Sequence, residues 1–369
     1  MKKILCVLMS CLLFVMAGCS GHSKNLKFGA ADIGGVYYSF ASTFTQLADK
    51  EIDGYTFETK TTAGSVANLR LISDGYIDLA IVQADLLSDA YNATGTFADK
   101  KYQKGYKAVA SLYTECCQIV VRKDSGITGI DDLINKTVSV GASESGSAKN
   151  AEQILKLSGI TDELINKVNM DYTEAAEKLK AGEIDAFFCT AGTRTEVIGQ
   201  LSKECDICLI SLDDKCIDKM LSAYSLCEKY IIPAGPYNGQ DSDVTTIGVK
   251  SVLIAKQSLS DDVIKKVTKT IYEHADDFKY ATSLDISFDI NTAADGVDIP
   301  FHSGAAICIM LSLDGLAGGA ATAGCCAQMI GFAVLSFREN GVGGLLAQGL
   351  GTSMLQMGNI VKNPKVWLP

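Results

Sequence analysis

The chain has 369 residues, 47% hydrophobic and 21% charged, with 33 Lys and Arg against 43 Asp and Glu and a net charge of −10 at pH 7. That length suits about two domains with sizeable cores. An acidic chain without a Lys/Arg-rich block lacks the positive footprint that phosphate binding needs, which excludes nucleic acid as a partner. Charge is also unevenly spread. After Asp298 only Asp314 is charged before Arg338, so Gly315 to Phe337 forms an uncharged run of 23 residues.

At the N-terminus, Lys2 and Lys3, the apolar stretch Ile4 to Val15 and the small-residue site Met16-Ala17-Gly18-Cys19 read as an export signal. The apolar stretch is too short for an ordinary transmembrane helix. A Cys directly after Ala-Gly resembles a bacterial lipobox, which implies that residues 1–18 are a lipoprotein signal peptide and that Cys19 is lipidated. Residues 19–24 then form a tether. Met16 stands where that pattern usually has Leu, and plain secretion with an incidental Cys is the alternative.

From Leu26 onward, β-rich runs alternate with amphipathic helical runs. Lys27 to Ala31 reads as a strand, and Tyr37 to Lys50 as a helix with apolar residues at Tyr37, Phe40, Ala41, Phe44, Leu47 and Ala48. Tyr55 to Thr61 (strand), Ser65 to Asp74 (helix), Leu79 to Gln83 (strand) and Asp85 to Tyr91 (helix) follow. Next come strands at Tyr106 to Tyr113, Gln118 to Arg122 and Thr137 to Val140, then a helix at Gly146 to Ser158. Such alternation predicts an α/β fold on mostly parallel sheets.

In such sheets ligands sit beyond the carboxyl ends of strands, where loops become helix N-termini. Three such joints are rich in Gly and hydroxyl residues: Ile33 to Tyr38, Thr61 to Ser65 and Gly141 to Ser147. Gly permits close backbone approach, and free N–H groups at a helix start attract an anion such as a carboxylate. Each joint alone is equally an ordinary helix cap, whereas three together point to a binding cleft. Catalysis has little support. The histidines His22, His274 and His302 lie in no recognisable nucleophile setting, and Gly141-x-Ser143-x-Ser145 lacks the second Gly of a nucleophile elbow. Cys205-x-x-Cys208, followed by Cys216 and Cys227, has the wrong spacing for a paired zinc site and no nearby His. No metal or cofactor is expected, and free buried thiols are the default, with one or two disulfides as the alternative.

The order Ile33 to Tyr38, Thr62 to Asn68, Ile77 to Asp85, Ser139 to Ser147 and Asp185 to Phe188 resembles the TAXI family of TRAP-transporter solute-binding proteins. Ile232 to Tyr237, Gln240-Asp241 and Pro300 to Ala305 extend the likeness across about residues 25–304. The resemblance implies a two-lobed periplasmic-binding-protein type II fold that closes on a small solute, such as an amino acid or organic acid. It also implies delivery of that solute to a TRAP-type membrane permease. One lobe would be about 25–114 plus 245–304, the other about 115–244, with crossings at Val109 to Val121 and Thr246 to Ala255. The implied ligand residues are Gly35, Val36, Tyr37, Thr62, Ala63, Gly64, Ser65, Asn68 and Gln83. Across the cleft they are Tyr113, Glu115, the stretch Ser143 to Ser147 (Ser143, Ser145, Gly146, Ser147) and the stretch Cys189 to Gly192 (Cys189, Ala191, Gly192). The family more often has Pro where Arg194 follows Gly192-Thr193. Arg194 either reaches a carboxylate or is, more simply, a solvated helix-start residue.

Residues 305–369 differ in kind. Gly315 to Gly358 holds 11 Gly among interspersed Ile, Leu, Met, Val and Phe, a mixture suited to close packing in a bilayer. Gly324 to Val334, Ser336 to Gly341 and Leu346 to Met357 resemble enzyme IIC, the membrane subunit of phosphotransferase-system (PTS) sugar permeases. The chain is expected to stop within that domain, so this is a Gly-rich, apolar, partial membrane segment. The two modules meet near Phe301 to Ile307, which suggests a gene fusion or an assembly chimera. The expected product is an extracytoplasmic lipoprotein held to the bacterial cell membrane by its lipid anchor, with the C-terminal segment as a possible second attachment. The competing expectation assigns the chain, through its tail, to a phosphoenolpyruvate-dependent sugar phosphotransferase system.

Overall fold

The computed structural model describes residues 23–98, 102, 105–283 and 288–312. The export signal, Cys19 and nearly all of the apolar tail lie outside the described residues. The chain divides after Cys308 into two units, and the elements below belong to the first, except that the last helix continues to Ser312.

The strands are β1 (Lys24–Gly29), β2 (Tyr55–Lys60), β3 (Leu79–Gln83), β4 (Tyr106–Arg122), β5 (Thr137–Ser139), β6 (Asn166–Val168), β7 (Ala186–Ala191), β8 (Ile207–Leu209), β9 (Cys227–Ile232) and β10 (Val244–Lys256). The helices are α1 (Val36–Glu51), α2 (Ser65–Ser73), α3 (Ala84–Asn92), α4 (Gly146–Leu157), α5 (Tyr172–Ala181), α6 (Glu196–Glu204), α7 (Asp214–Ala223), α8 (Asp261–Glu273), α9 (Ala275–Thr282) and α10 (Ser303–Ser312). Among the described residues no helix is long and apolar enough to cross a membrane.

The strands run in the order β2-β1-β3-β10-β4-β7-β5-β6, with β8 on β4 and β9 on β10. β1, β2 and β3 are parallel, as are β5, β6 and β7. β10 returns from late in the chain and inserts antiparallel between β3 and β4. That insertion is the type II arrangement expected from the sequence. The expectation of mostly parallel sheets is corrected, since every pairing of β4 and β10 is antiparallel.

The same two strands correct the reading of Tyr106–Tyr113 and Gln118–Arg122 as separate strands. Thr114 and Glu115 break the apolar run, yet β4 continues straight through them for 17 residues. Its first part pairs with β10 and its last part with β7 and β8. β10 likewise pairs with β9 along Val244–Val249 and with β3 along Ser251–Ala255. Each strand therefore passes from one half of the unit to the other near Glu115 and Ser251.

Two separate cores flank this passage. One gathers Leu69, Val82, Leu87, Tyr106 and Ile254. The other gathers Ile119, Val138, Ile154, Phe188 and Ile217. Each buries the apolar face of its own helices against its own strands, which is where most of the stabilisation of an amphipathic helix arises. On the first half, Phe40 stacks on Phe278 at 4.4 Å between ring centres and fastens α1 to α9.

Candidate functional site

Three helices begin around the seam between the halves, and their starts are built differently. α1 and α2 are preceded by Gly35 and Gly64, and neither start has a side-chain cap. α4 is capped conventionally, the Ser145 hydroxyl accepting from the Ala148 N–H at 3.0 Å. First-turn N–H groups have no partner within their own helix, so three partly positive helix ends converge here. Gly64 has φ of +115° and comes so close to the opposite half that a Cβ there would lie 3.4 Å from Ser145 Cα.

Between these ends lies a cavity of about 30 Å³, lined from both halves. Of the residues expected from the sequence, Gly35, Val36, Tyr37, Ala63, Gly64, Ser65, Gln83, Glu115, Ser145, Gly146, Ser147 and Ala191 line it. Thr62, Asn68, Tyr113, Ser143, Cys189 and Gly192 do not. Asn68 is fully buried; its side-chain amide donates to Ala30 O at 2.7 Å and Ile81 O at 2.9 Å, and its carbonyl accepts from Thr62 Oγ1 at 2.8 Å. These two residues tie β1, β3 and the following loop together. Tyr113 stands behind Glu115, 3.5 Å from its Oε1. Ser143 is exposed, Cys189 is wholly buried, and Gly192 O accepts from the Thr195 hydroxyl at 2.7 Å. Arg194 does not line the cavity.

Asp32, Ala31, Thr190 and Tyr172 complete the lining. Asp32 adjoins the first Gly-rich joint and was within reach of sequence reasoning, and Thr190 falls inside the stretch Cys189 to Gly192. Tyr172 was not accessible in this way. It sits at the start of α5, in no Gly-rich stretch, and becomes part of the site through long-range bonds. Its hydroxyl donates to Thr190 O at 3.0 Å, which leaves the Ser147 hydroxyl to donate to it at 2.6 Å. Ser147 Oγ in turn accepts from Thr190 N at 2.8 Å.

The floor is a polar cluster around Glu115, itself 2% exposed. Tyr37 Oη donates to Glu115 Oε2 at 3.2 Å, and Gln83 Nε2 donates to the same oxygen at 3.1 Å. Gln83 Nε2 also reaches Asn150 Oδ1 of α4 at 3.0 Å, and its main-chain N–H donates to Ser65 Oγ at 3.1 Å. Burial pushes the Glu115 carboxyl up to about 8, against the pull of donors Gln83 and Tyr37. Burial, reinforced by Asp171, likewise raises Asp32 to about 6. Burial and then the nearby Glu115 hold Tyr37 and Tyr113 well above the usual phenol range. At the rim, Ala67 N–H donates to Glu144 O at 3.1 Å, and Arg70 pairs with the Glu144 carboxylate.

Among the described residues no group of His, Cys, Asp and Glu could hold a metal ion. Cys116, Cys117, Cys189, Cys205, Cys208, Cys216 and Cys227 are free thiols. Burial raises the thiols of Cys116 and Cys117 to about 12, which leaves them protonated and poor nucleophiles at neutral pH.

A family model described as the phosphotransferase system, EIIC, matches residues 299–369. Solved structures similar to this chain include a binding protein component of an ABC phosphonate transporter from Pseudomonas aeruginosa. It has 11% identity and a TM-score of 0.48, over 70% of this chain and 78% of that one. An ancestral arginine-binding protein bound to arginine has 16% identity and a TM-score of 0.45, over 71% and 98%. The periplasmic aliphatic sulphonate binding protein from Escherichia coli has 12% identity and a TM-score of 0.40, over 79% and 91%. The model described as the NMT1-like family matches residues 28–307, about three quarters of the sequence, and the chain belongs to that family.

Proposed function

We propose that residues 25–304 are an extracytoplasmic solute receptor, with lobes of about 25–114 plus 245–304 and about 115–244, that captures a small carboxylate-bearing solute. The observation that carries this is the cavity shared by two separately cored halves, where uncapped helix starts at Val36 and Ser65 meet the start of α4. Donors of that kind suit a carboxylate. A space of about 30 Å³ admits one or two water molecules, so a solute the size of an amino acid enters only when the halves part. β4 and β10, the strands shared by the halves, are the natural hinge. Lipidation at Cys19 and delivery to a TRAP-type permease complete the proposal, supported by the lipobox-like and TAXI-like motifs of the sequence. Thermal unfolding of the full-length chain with a panel of amino acids, monocarboxylates and dicarboxylates tests it. A ligand that binds only the folded state raises Tm; no shift with any member would count against solute capture.

The match of residues 299–369 to an EIIC model favours a second activity, sugar uptake driven by phosphoenolpyruvate. We propose instead that two modules are joined in one gene and that the receptor carries the function. The two family matches overlap at residues 299–307, in the stretch where the sequence motifs meet. A single continuous transcript from a clonal strain is the expected finding, with no phosphoenolpyruvate-dependent sugar uptake attributable to the chain. Two separate transcripts would remove the fusion, and such uptake would favour the alternative.

A further inference from the structure

Among the described residues, the ionisable ones that line the cavity are Asp32, Tyr37, Glu115 and Tyr172, all acids, with no Lys, Arg or His. Its positive character among the described residues comes from helix ends, each worth about half a charge. A dicarboxylate would bring two negative charges to a site that already holds two carboxyl groups and no base. A zwitterion divides its charges differently: its carboxylate suits the helix starts, and its ammonium suits Glu115.

Among the described residues, the groups that face Glu115 are acidic or neutral. Tyr37 faces it from α1, Gln83 and Asp85 from the β3–α3 joint, and Tyr113 and Cys116 from its own strand. Tyr172 and Cys189 approach from α5 and β7, and its register partner on β10 is Val249. No cationic side chain among the described residues bonds this carboxyl, although two side chains donate to one of its oxygens. A buried carboxyl so arranged is costly as an anion until an opposite charge arrives.

On the interpretation of this cavity as a solute site, we propose that Glu115 receives a cationic nitrogen of the solute and gives up its proton on capture, selecting amino acids over their desamino counterparts. The Glu115 O–H bond breaks, the proton passes to solvent, and an ammonium N–H takes its place against the carboxylate. A solute that instead presented a carboxylate to Glu115 would leave the proton where it is, and capture would release none. The sign of proton exchange therefore separates the two modes.

Titration calorimetry on the full-length chain at pH 7, in phosphate and in Tris, counts the protons. The probes are matched pairs that differ only in the amino group: glutamate and glutarate, aspartate and succinate, leucine and 4-methylpentanoate. The expected result is at least about tenfold tighter binding of an amino member, with release of close to one proton per solute. Glu115→Gln is expected to abolish the release and most of the preference. Equal or tighter binding of the desamino partner, or no proton release, overturns the role of Glu115 and leaves solute capture standing. Absence of any binding across the panel removes both. The proton count on the unmodified chain decides the matter even if Glu115→Gln fails to fold.

Discussion

Arg70 and Glu144 form a two-pronged ion pair across the rim of the cavity, Arg70 Nε to Oε1 at 3.1 Å and a terminal nitrogen to Oε2 at 2.7 Å. Arg70 belongs to α2 in the first half, and Glu144 to the joint before α4 in the second. Their side chains are 34% and 44% exposed, so water and salt weaken the attraction. Such a pair would serve as a light latch between the halves. Arg70→Ala is expected to speed solute dissociation about two- to fivefold, as befits a pair worth about 1 kcal/mol or less, with the difference shrinking at high salt. Stopped-flow dissociation measures this, and an unchanged rate at low salt would deny the latch any role.

Gly146 packs against Gln83 so closely that a Cβ on residue 146 would overlap the Gln83 amide. Its position at the start of α4 suits Ala conformationally, so the cost of Gly146→Ala falls on the contact between the halves. Solute affinity is expected to drop about tenfold while Tm without solute changes little. Calorimetry paired with thermal unfolding separates this from a general loss of stability.

Asn68 gives the opposite pattern. Its amide group bonds main-chain carbonyls of Ala30 and Ile81 in a fully buried setting. Asn68→Ala leaves those acceptors unmet and is expected to cost about 2–3 kcal/mol of stability, a fall in Tm of roughly 5–10 °C. A solute-contacting role would instead show as lost affinity at unchanged Tm.

Glu115 makes stability depend on pH. With its folded-state value raised to about 8 from an ordinary 4.5, the folded chain keeps a proton that the unfolded chain has lost between those limits. Stability from this group therefore falls as pH rises through that window, by about 1.4 kcal/mol per pH unit at most. Glu115→Gln is expected to flatten the decline between pH 5 and 8 in denaturant titrations. An identical slope in the variant would show that the carboxyl titrates normally.

His274 provides a second pH signature, distant from the cavity in sequence. Its Nε2 lies 2.6 Å from Glu51 Oε1 and its Nδ1 2.9 Å from Asp277 Oδ2, joining α1 to the α8–α9 corner. The hydrogen bond to Asp277, then that to Glu51, raises its value above 6.5. The stabilisation is complete below pH 6.5 and disappears as pH climbs past the raised value. His274→Ala is expected to lower Tm at pH 6 and to have a much smaller effect at pH 9. Equal losses at both pH values would make the contact one of packing alone.

Gly64, Ser65, Ser145 and Gly146 were legible as site residues because a helix start leaves its mark within a few positions of sequence, in Gly, Ser and the run that follows. Thr62 and Asn68 carried the same polar signature, but whether a polar group faces a cavity or ties strands together is decided by what lies across from it. Tyr172 carried no signature, since only Ser147 and Thr190, brought near by folding, give its hydroxyl a place in the site. Glu115 falls between the two strands read from the sequence, Tyr106 to Tyr113 and Gln118 to Arg122. The fold keeps the strand intact because Tyr37 and Gln83 supply donors from elements 78 and 32 residues away.

By itself, then, the sequence determined the alternation of strands and helices, the three Gly- and Ser-rich helix starts and the abrupt change near residue 305, because periodicity, capping and composition are local properties. Only the tertiary structure decided that β10 inserts between β3 and β4, that the described residues lining the cavity include acids and no base, and that Glu115 sits at its floor. Those outcomes depend on which distant segments share a core, and on the burial that such sharing imposes on a charge.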